Sequence, residues 1–392
     1  MSARVPMLVV GASVASGALV AQLRADGHTG RIVVVDRDPD APYDRPPLSK
    51  DFLTSADDRP AAPWWRADCE LLTGDVYDLD AVNRTATVRS PDGSRLELAA
   101  DELVVATGSA PLRVPGQPHG VIELRTAADA RALRTYATPG YDIVVLGAGT
   151  VGTELASSLT AAGAAVTLID VAEQPLQRFL GGHLGAEAAA WIRAGGVDLR
   201  LGERVTAIRE AGRGRWLVQT DRSMCAADVV VSAIGTRPVT GWLAGAGLRV
   251  DNGVVCDIDG QALSTDGTPV SGVHAIGDVA SWAGQDGSRR RREDWTSAQR
   301  QGRHVARRLL GLEPLVAIDA EREYFWSNQF GRRIQVLGTP ASTGTLVRQV
   351  ADPDRNAAFY TVEGEDRTLA WISINRPREF ALAMRQSVLA AR

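Results

Sequence analysis

Two stretches of the chain carry one pattern. An apolar run, Met7-Leu8-Val9-Val10, meets the turn Gly11-Ala12-Ser13-Val14-Ala15-Ser16-Gly17. Small and apolar residues at helical spacing follow to about Ala25, and a second apolar run goes from Arg31 to Asp36. The same order returns in Ile143-Val144-Val145-Leu146, then Gly147-Ala148-Gly149-Thr150-Val151-Gly152-Thr153-Glu154, a helical stretch to about Ala162, and a run from Ala165 to Asp170. Each predicts strand, glycine turn, helix and second strand, the βαβ unit. The two copies stand about 136 residues apart and in register.

Such a turn has a chemical use. Glycines let the backbone close on a pyrophosphate, which sits at the helix N-terminus, and a distal acid accepts hydrogen bonds from ribose hydroxyls. The second copy has the full glycine set, Gly147, Gly149 and Gly152, with Val151 inside it. The first keeps only Gly11; Ser13 and Ser16 stand at the other two positions. Ser16 falls where the helix must pack closely on the strand, which predicts looser cofactor binding unless Gly17 relieves the strain. At the second copy Asp170 is followed by Val171, Ala172 and Glu173, with no arginine to meet a 2′-phosphate, so NADH is expected over NADPH.

The remaining pattern fills in the architecture. A hairpin is expected at 86–98, then a strand from Glu102 into Ala106-Thr107-Gly108. Strand-like segments at 197–201, 204–209 and 215–220 lead to an apolar run ending at Gly235, and another reaches Gly277-Asp278. A helix over about 295–310 precedes a C-terminal stretch of short alternating strands. The expected class is α/β: two Rossmann-like dinucleotide-binding domains, one inserted in the other, plus a small C-terminal α+β domain. The boundaries are 1–110 and 236–312 for the first domain, 111–235 for the second and 313–392 for the third.

Composition narrows the classes. With 392 residues, 45% hydrophobic, 23% charged and net charge −4, nothing global points to nucleic acid or an anionic membrane. Residues 5–23 carry no charge, but glycines and serines interrupt the run, so a cytoplasmic protein is expected rather than a leader or span. Three scattered cysteines, Cys69, Cys225 and Cys256, with no C-x-x-C, argue against a dithiol centre, a disulfide scaffold or a zinc site. Of 43 basic residues one alone, Lys50, is lysine. Arginine is a planar fork that stays charged, whereas lysine is a compact ammonium, so Lys50 is a candidate for a site needing the latter.

Lys50 ends the segment Pro42-Tyr43-Asp44-Arg45-Pro46-Pro47-Leu48-Ser49-Lys50, which resembles the ferredoxin-reductase branch of the two-dinucleotide-binding flavoprotein reductases. That branch includes the putidaredoxin, rubredoxin and biphenyl-dioxygenase reductases. Further matches, in order, are Ala106-Thr107-Gly108, Leu124-Arg125-Thr126, Ala275-Ile276-Gly277-Asp278, Glu293-Asp294-Trp295-Thr296-Ser297-Ala298 and Phe325-Trp326-Ser327-Asn328-Gln329.

The resemblance implies FAD on the first unit. Gly11 and Ala15 would lie at the pyrophosphate and Asp36 at the adenosine ribose, a role Arg37 or Asp38 could share. Val76 would lie at the adenine, Arg125 would reach in from the linker, and Asp278 would bind the ribityl or pyrophosphate. Gly147, Gly149 and Gly152 would hold the nicotinamide dinucleotide, with Gly235 near its nicotinamide. Lys50 would stand beside the flavin ring with Glu154 as its partner, Trp295 along the ring, and Trp326 on the route by which electrons leave.

The implied activity is hydride transfer from NADH to FAD, then single electrons to a ferredoxin that feeds an oxygenase. The iron–sulfur centre would lie on that partner. Arg289 to Arg292 are expected in a loop, either solvated or docking an acidic ferredoxin. Phe330-Gly331 departs from the branch's usual continuation. Two alternatives stand beside this reading: a stand-alone NADH oxidase or flavin-dependent reductase, which would need a cysteine that 46–52 lacks, and an FAD- and NAD-binding protein with slow redox chemistry.

Overall fold

The computed structural model describes residues 3–40, 42–65, 68–212, 214–284, 287–314, 322–340 and 343–390. The chain forms two compact units: Met1–Asp44, Ala61–Ala110 and Arg237–Glu321; and Arg45–Pro60, Pro111–Thr236 and Arg322–Arg392.

Five strands of the first unit's sheet run parallel in a row, with Glu70–Thr73 outermost beside Ile32–Asp36 and four strands inside it. Ala3–Val10 lies between Ile32–Asp36 and Arg95–Val105, and Pro269–Ala275 pairs with the far side of Arg95–Val105. The register sets Val10 opposite both Val35 and Val105, and Val105 opposite Ala275. The four C-terminal ends therefore finish level, which is where open α/β sheets bind ligands. Val5, Leu8, Val33, Val34, Leu103 and Val104 are fully buried, as strands covered on both faces require. The helices Val14–Ala25 and Trp295–Leu309 pack at Gly302, where a side chain would stand 2.3 Å from the Ala15 carbonyl oxygen.

The second unit holds a five-stranded parallel sheet in the order Asp198–Leu201, Ala165–Asp170, Asp142–Leu146, Val229–Ser232, Ile122–Glu123. Its C-terminal part is an antiparallel sheet of five strands in the order Tyr324–Gln329, Arg332–Gly338, Thr368–Ile374, Ala357–Glu363, Thr345–Asp352, followed by the helix Pro377–Ala390. The overall class is the expected α/β one, with a smaller antiparallel C-terminal domain.

Two local expectations change. The hairpin return and the strand from Glu102 form one continuous strand, Arg95–Val105. Arg289–Arg291, expected in a loop, is an edge strand antiparallel to Ala280–Ala283. Arg289 donates to the Cys256 carbonyl oxygen at 2.8 Å, and Arg291 donates to the Asp278 carbonyl at 3.2 Å and pairs with Glu293. Long arginine stems lie along the sheet margin while their heads satisfy backbone carbonyls, which suits an edge.

Candidate functional site

The first glycine turn follows from two close approaches. At φ +108° Gly11 adopts a backbone that side chains disfavour, and a β-carbon there would stand 2.3 Å from the Ala106 carbonyl oxygen. Asp36 closes the turn: Oδ2 accepts the Ala12 N–H at 2.5 Å and Oδ1 accepts the Asp38 N–H at 2.8 Å. An ionised carboxylate has about four acceptor positions, so two remain for a ribose. Asp38 is engaged by the Asp40 N–H and the Tyr43 hydroxyl, while Arg37 is exposed at the strand end.

Ser13 caps the helix Val14–Ala25 without a side-chain hydrogen bond. Ser16 is fully buried, and its hydroxyl donates to the Gly11 carbonyl oxygen. Gly17 answers a different demand from strain at Ser16: a side chain there would lie 2.5 Å from the Trp64 ring.

The neighbouring strand ends gather at this turn. Thr107 Oγ1 donates to the Val239 carbonyl at 3.0 Å, and the Gly108 carbonyl accepts the Val239 N–H at 3.0 Å. The Gly277 N–H donates to Gln301 Oε1 at 2.7 Å, and a β-carbon on Gly277 would stand 3.2 Å from that of Ala15. Asp278 accepts from the Ser109 hydroxyl at 2.8 Å, and Trp295 Nε1 donates to Asp44 at 3.0 Å. Val76 is buried in the strand Asp75–Asp80 of the same unit.

The second turn repeats these bonds. Gly147 has φ +99°, and a β-carbon there would lie 2.5 Å from the Ala233 carbonyl oxygen. Asp170 Oδ2 accepts the Ala148 N–H at 2.5 Å and Oδ1 the Ala172 N–H at 2.7 Å. Gly149 caps the helix Thr150–Ala161, and a β-carbon on Gly152 would stand 1.8 Å from the Gly147 carbonyl oxygen. Val151 and Val171 are exposed beside the turn. The Gly235 carbonyl accepts the Leu112 N–H at 2.9 Å. Arg125 precedes Thr126, which caps the helix Ala127–Arg134. Both turns thus have the cradle and the uncapped helix start that a pyrophosphate needs.

Lys50 and Glu154 lie in the same unit and form an ion pair, Nζ to Oε2 at 2.6 Å, with side chains 14% and 4% exposed. Lys50 Nζ also donates to the Pro46 carbonyl at 2.9 Å, and the Ser49 hydroxyl donates to the same Oε2 at 2.5 Å. Arg45 opens the short turn Pro46–Ser49 that presents both residues. Ser158 fixes the Ser49 carbonyl at 2.9 Å, and Arg134 covers the Phe52 ring at 4.3 Å and donates to the Phe52 carbonyl at 2.6 Å. The second oxygen of Glu154 accepts from Ser327 Oγ at 2.7 Å.

The alternation of the strand Tyr324–Gln329 puts Phe325, Ser327 and Gln329 on one face and Trp326 on the other, where Trp326 stacks on Tyr324 at 5.6 Å. Trp326 therefore does not share the Glu154 face. Phe330-Gly331 is a two-residue hairpin turn with both residues at positive φ, and the Phe330 N–H donates to Ser157 at 2.7 Å. Sequence reasoning gave roles to Lys50 and Glu154 but none to Ser49, Ser327 and Gln329, although all three lie in the matched segments. Burial pushes the thiols of Cys69, Cys225 and Cys256 above their ordinary value, so none is a ready thiolate. Among the described residues there is no candidate metal cluster, and no helix is long and apolar enough to cross a membrane.

Residues 5–302 match the family model for pyridine nucleotide-disulphide oxidoreductases and residues 324–391 the model for the reductase C-terminal domain. The chain is 34% identical to the ferredoxin reductase component of chlorobenzene dioxygenase from Cupriavidus sp. (strain PS12), over 96% of this chain and 91% of that protein. It is 33% identical, with the same coverage, to the ferredoxin–NAD(+) reductase subunit of the benzene 1,2-dioxygenase system of Pseudomonas putida. Among solved structures, the covalent putidaredoxin reductase–putidaredoxin complex matches with TM-score 0.86 and 27% identity, over 98% of this chain and 93% of that one. The chain belongs to the pyridine nucleotide-disulphide oxidoreductase family.

Proposed function

We propose that this member of the pyridine nucleotide-disulphide oxidoreductase family is an NADH-dependent ferredoxin reductase that feeds an oxygenase. One observation carries the reading: two carboxylate-closed glycine turns stand in one chain with a buried lysine–glutamate pair. The relatives named as reductase components of dioxygenase systems support the partner class. FAD would bring a ring that takes two electrons as hydride and releases them one at a time.

The chain's own residues would hold and orient the reactants. Gly11, Ser13, Ala15 and the free amides of the first helix would receive the FAD pyrophosphate, Asp36 and Arg37 its ribose end, and Asp278 its middle. Gly147, Gly149 and Gly152 would receive the NADH pyrophosphate. Asp170, already turned toward its glycine turn by Ala148, keeps acceptor capacity for a 2′-hydroxyl and would repel a 2′-phosphate. Lys50 would place a fixed positive charge beside the flavin, and Glu154 would hold it there. No side chain need act as nucleophile or base, because positioning and charge do the work. With no cysteine in 46–52 and all thiols pushed up, an oxidase or disulfide reductase of the thiol type is disfavoured.

The test is NADH-driven reduction of a panel of [2Fe–2S] ferredoxins, read against direct oxygen consumption. Ferredoxin reduction much faster than oxygen uptake is expected. Oxygen uptake with every ferredoxin left oxidised would overturn the reading.

A further inference from the structure

Glu154 uses its two oxygens for different partners. Oε2 takes the Lys50 ammonium at 2.6 Å and the Ser49 hydroxyl at 2.5 Å, whereas Oε1 takes the Ser327 hydroxyl at 2.7 Å. Ser327 is fully buried on the strand Tyr324–Gln329, and Gln329 Nε2 donates to its oxygen at 2.9 Å. A serine hydroxyl has one proton. With Gln329 filling its acceptor side, that proton goes to Glu154.

We propose that Ser327, steered by Gln329, is a positioning residue that keeps the Lys50 ammonium in place through Glu154. The terminal torsion of a glutamate is soft, so a carboxylate anchored on one side only can swing. Ser327 removes that freedom by tying the second oxygen. Removing the hydroxyl strands Oε1 as a buried acceptor, and the carboxylate turns to share the donors that now serve Oε2. The same strand is held against the helix Thr150–Ala161 by the bond from the Phe330 N–H to Ser157, so the Ser327 hydroxyl is delivered on a fixed backbone. In this way the C-terminal domain, rather than the nucleotide turns, sets where the lysine charge lies. The catalytic consequence rests on the reading that Lys50 acts beside the flavin.

Because the chain has a single lysine, selective nitrogen-15 lysine labelling of the flavin-loaded protein gives one side-chain signal with no assignment problem. Ser327→Ala is expected to speed exchange of the ammonium protons with water about tenfold, the scale of one hydrogen bond to a charged group. It should slow flavin reduction by NADH about as much. Ser327→Thr, which restores the hydroxyl, should recover both. Gln329→Leu should shift both in the same direction by roughly threefold, since it loosens the serine without deleting it. On a Glu154→Gln background Ser327→Ala should add nothing. Unchanged ammonium exchange in Ser327→Ala, or an equal loss with and without Glu154, would overturn the proposal. Faster exchange with undiminished flavin reduction would uphold the positioning role and count instead against Lys50 acting beside the flavin.

Discussion

The two glycine turns solve one problem in two ways. In both, a positive-φ glycine lies almost on the carbonyl of the next strand, Gly11 on Ala106 and Gly147 on Ala233, and an aspartate closes the turn through Oδ2. They part at the third fingerprint position. Gly152 stands so close to the Gly147 carbonyl that a β-carbon has 1.8 Å, whereas Ser16 fits a side chain there and hydrogen-bonds the Gly11 carbonyl. The lesson is that the third position must keep the helix close without crowding the turn carbonyl. Glycine leaves that carbonyl room and serine bonds to it. At Ser16, where looser cofactor binding is expected, the structure has a buried side chain whose hydroxyl bonds the turn carbonyl.

The comparison can be broken at its strongest point first. Gly11→Ala should cost about 2–4 kcal/mol and abolish flavin uptake, since it meets both a carbonyl and an unfavourable φ. Thermal unfolding and the flavin-to-protein ratio read this out. Gly152→Ser transplants the first turn's solution into the second and should abolish saturable NADH binding while flavin content stays normal. A normal KM for NADH would show that the second turn can reshape as the first does. Glu154→Gln, which leaves both turns alone, should slow flavin reduction roughly a hundredfold in stopped-flow measurements.

Smaller effects sharpen the contrast. Asp170→Ala should weaken NADH use by roughly tenfold and narrow the proposed advantage over NADPH, because the carboxylate proposed to accept from the 2′-hydroxyl is lost. Unchanged discrimination would place selectivity elsewhere. Ser16→Ala removes only the bond to the Gly11 carbonyl, so a loss near 1 kcal/mol and a several-fold weaker FAD affinity are expected. Titration of the apoprotein with FAD measures the difference.

Much of the fold was legible because the buried parallel strands, Ala3–Val10 and Asp142–Leu146 among them, end in unbroken apolar runs, Met7–Val10 and Ile143–Leu146, directly before glycine turns. The edge strand Arg289–Arg291 was not, since arginine gives no strand signal and its pairing with Ala280–Ala283 needs the assembled sheet. At the site, Lys50 stood out as the one lysine and Glu154 by its place after the glycine turn. Ser49 and Ser327 lie 105 and 173 positions from Glu154, and serine carries no periodic pattern, so only folding shows that their hydroxyls converge. Adjacency along the chain suggests Gly17 as relief for Ser16. Its true neighbour, Trp64, is distant in sequence.

The central claim is that this chain takes hydride from NADH onto a flavin held by its first turn. Anaerobic mixing of the purified yellow protein with NADH tests it most directly. Full bleaching of the visible flavin absorbance by one equivalent of NADH, and markedly slower bleaching by NADPH, is the expected result. A flavin that stays oxidised in the presence of excess NADH would contradict it.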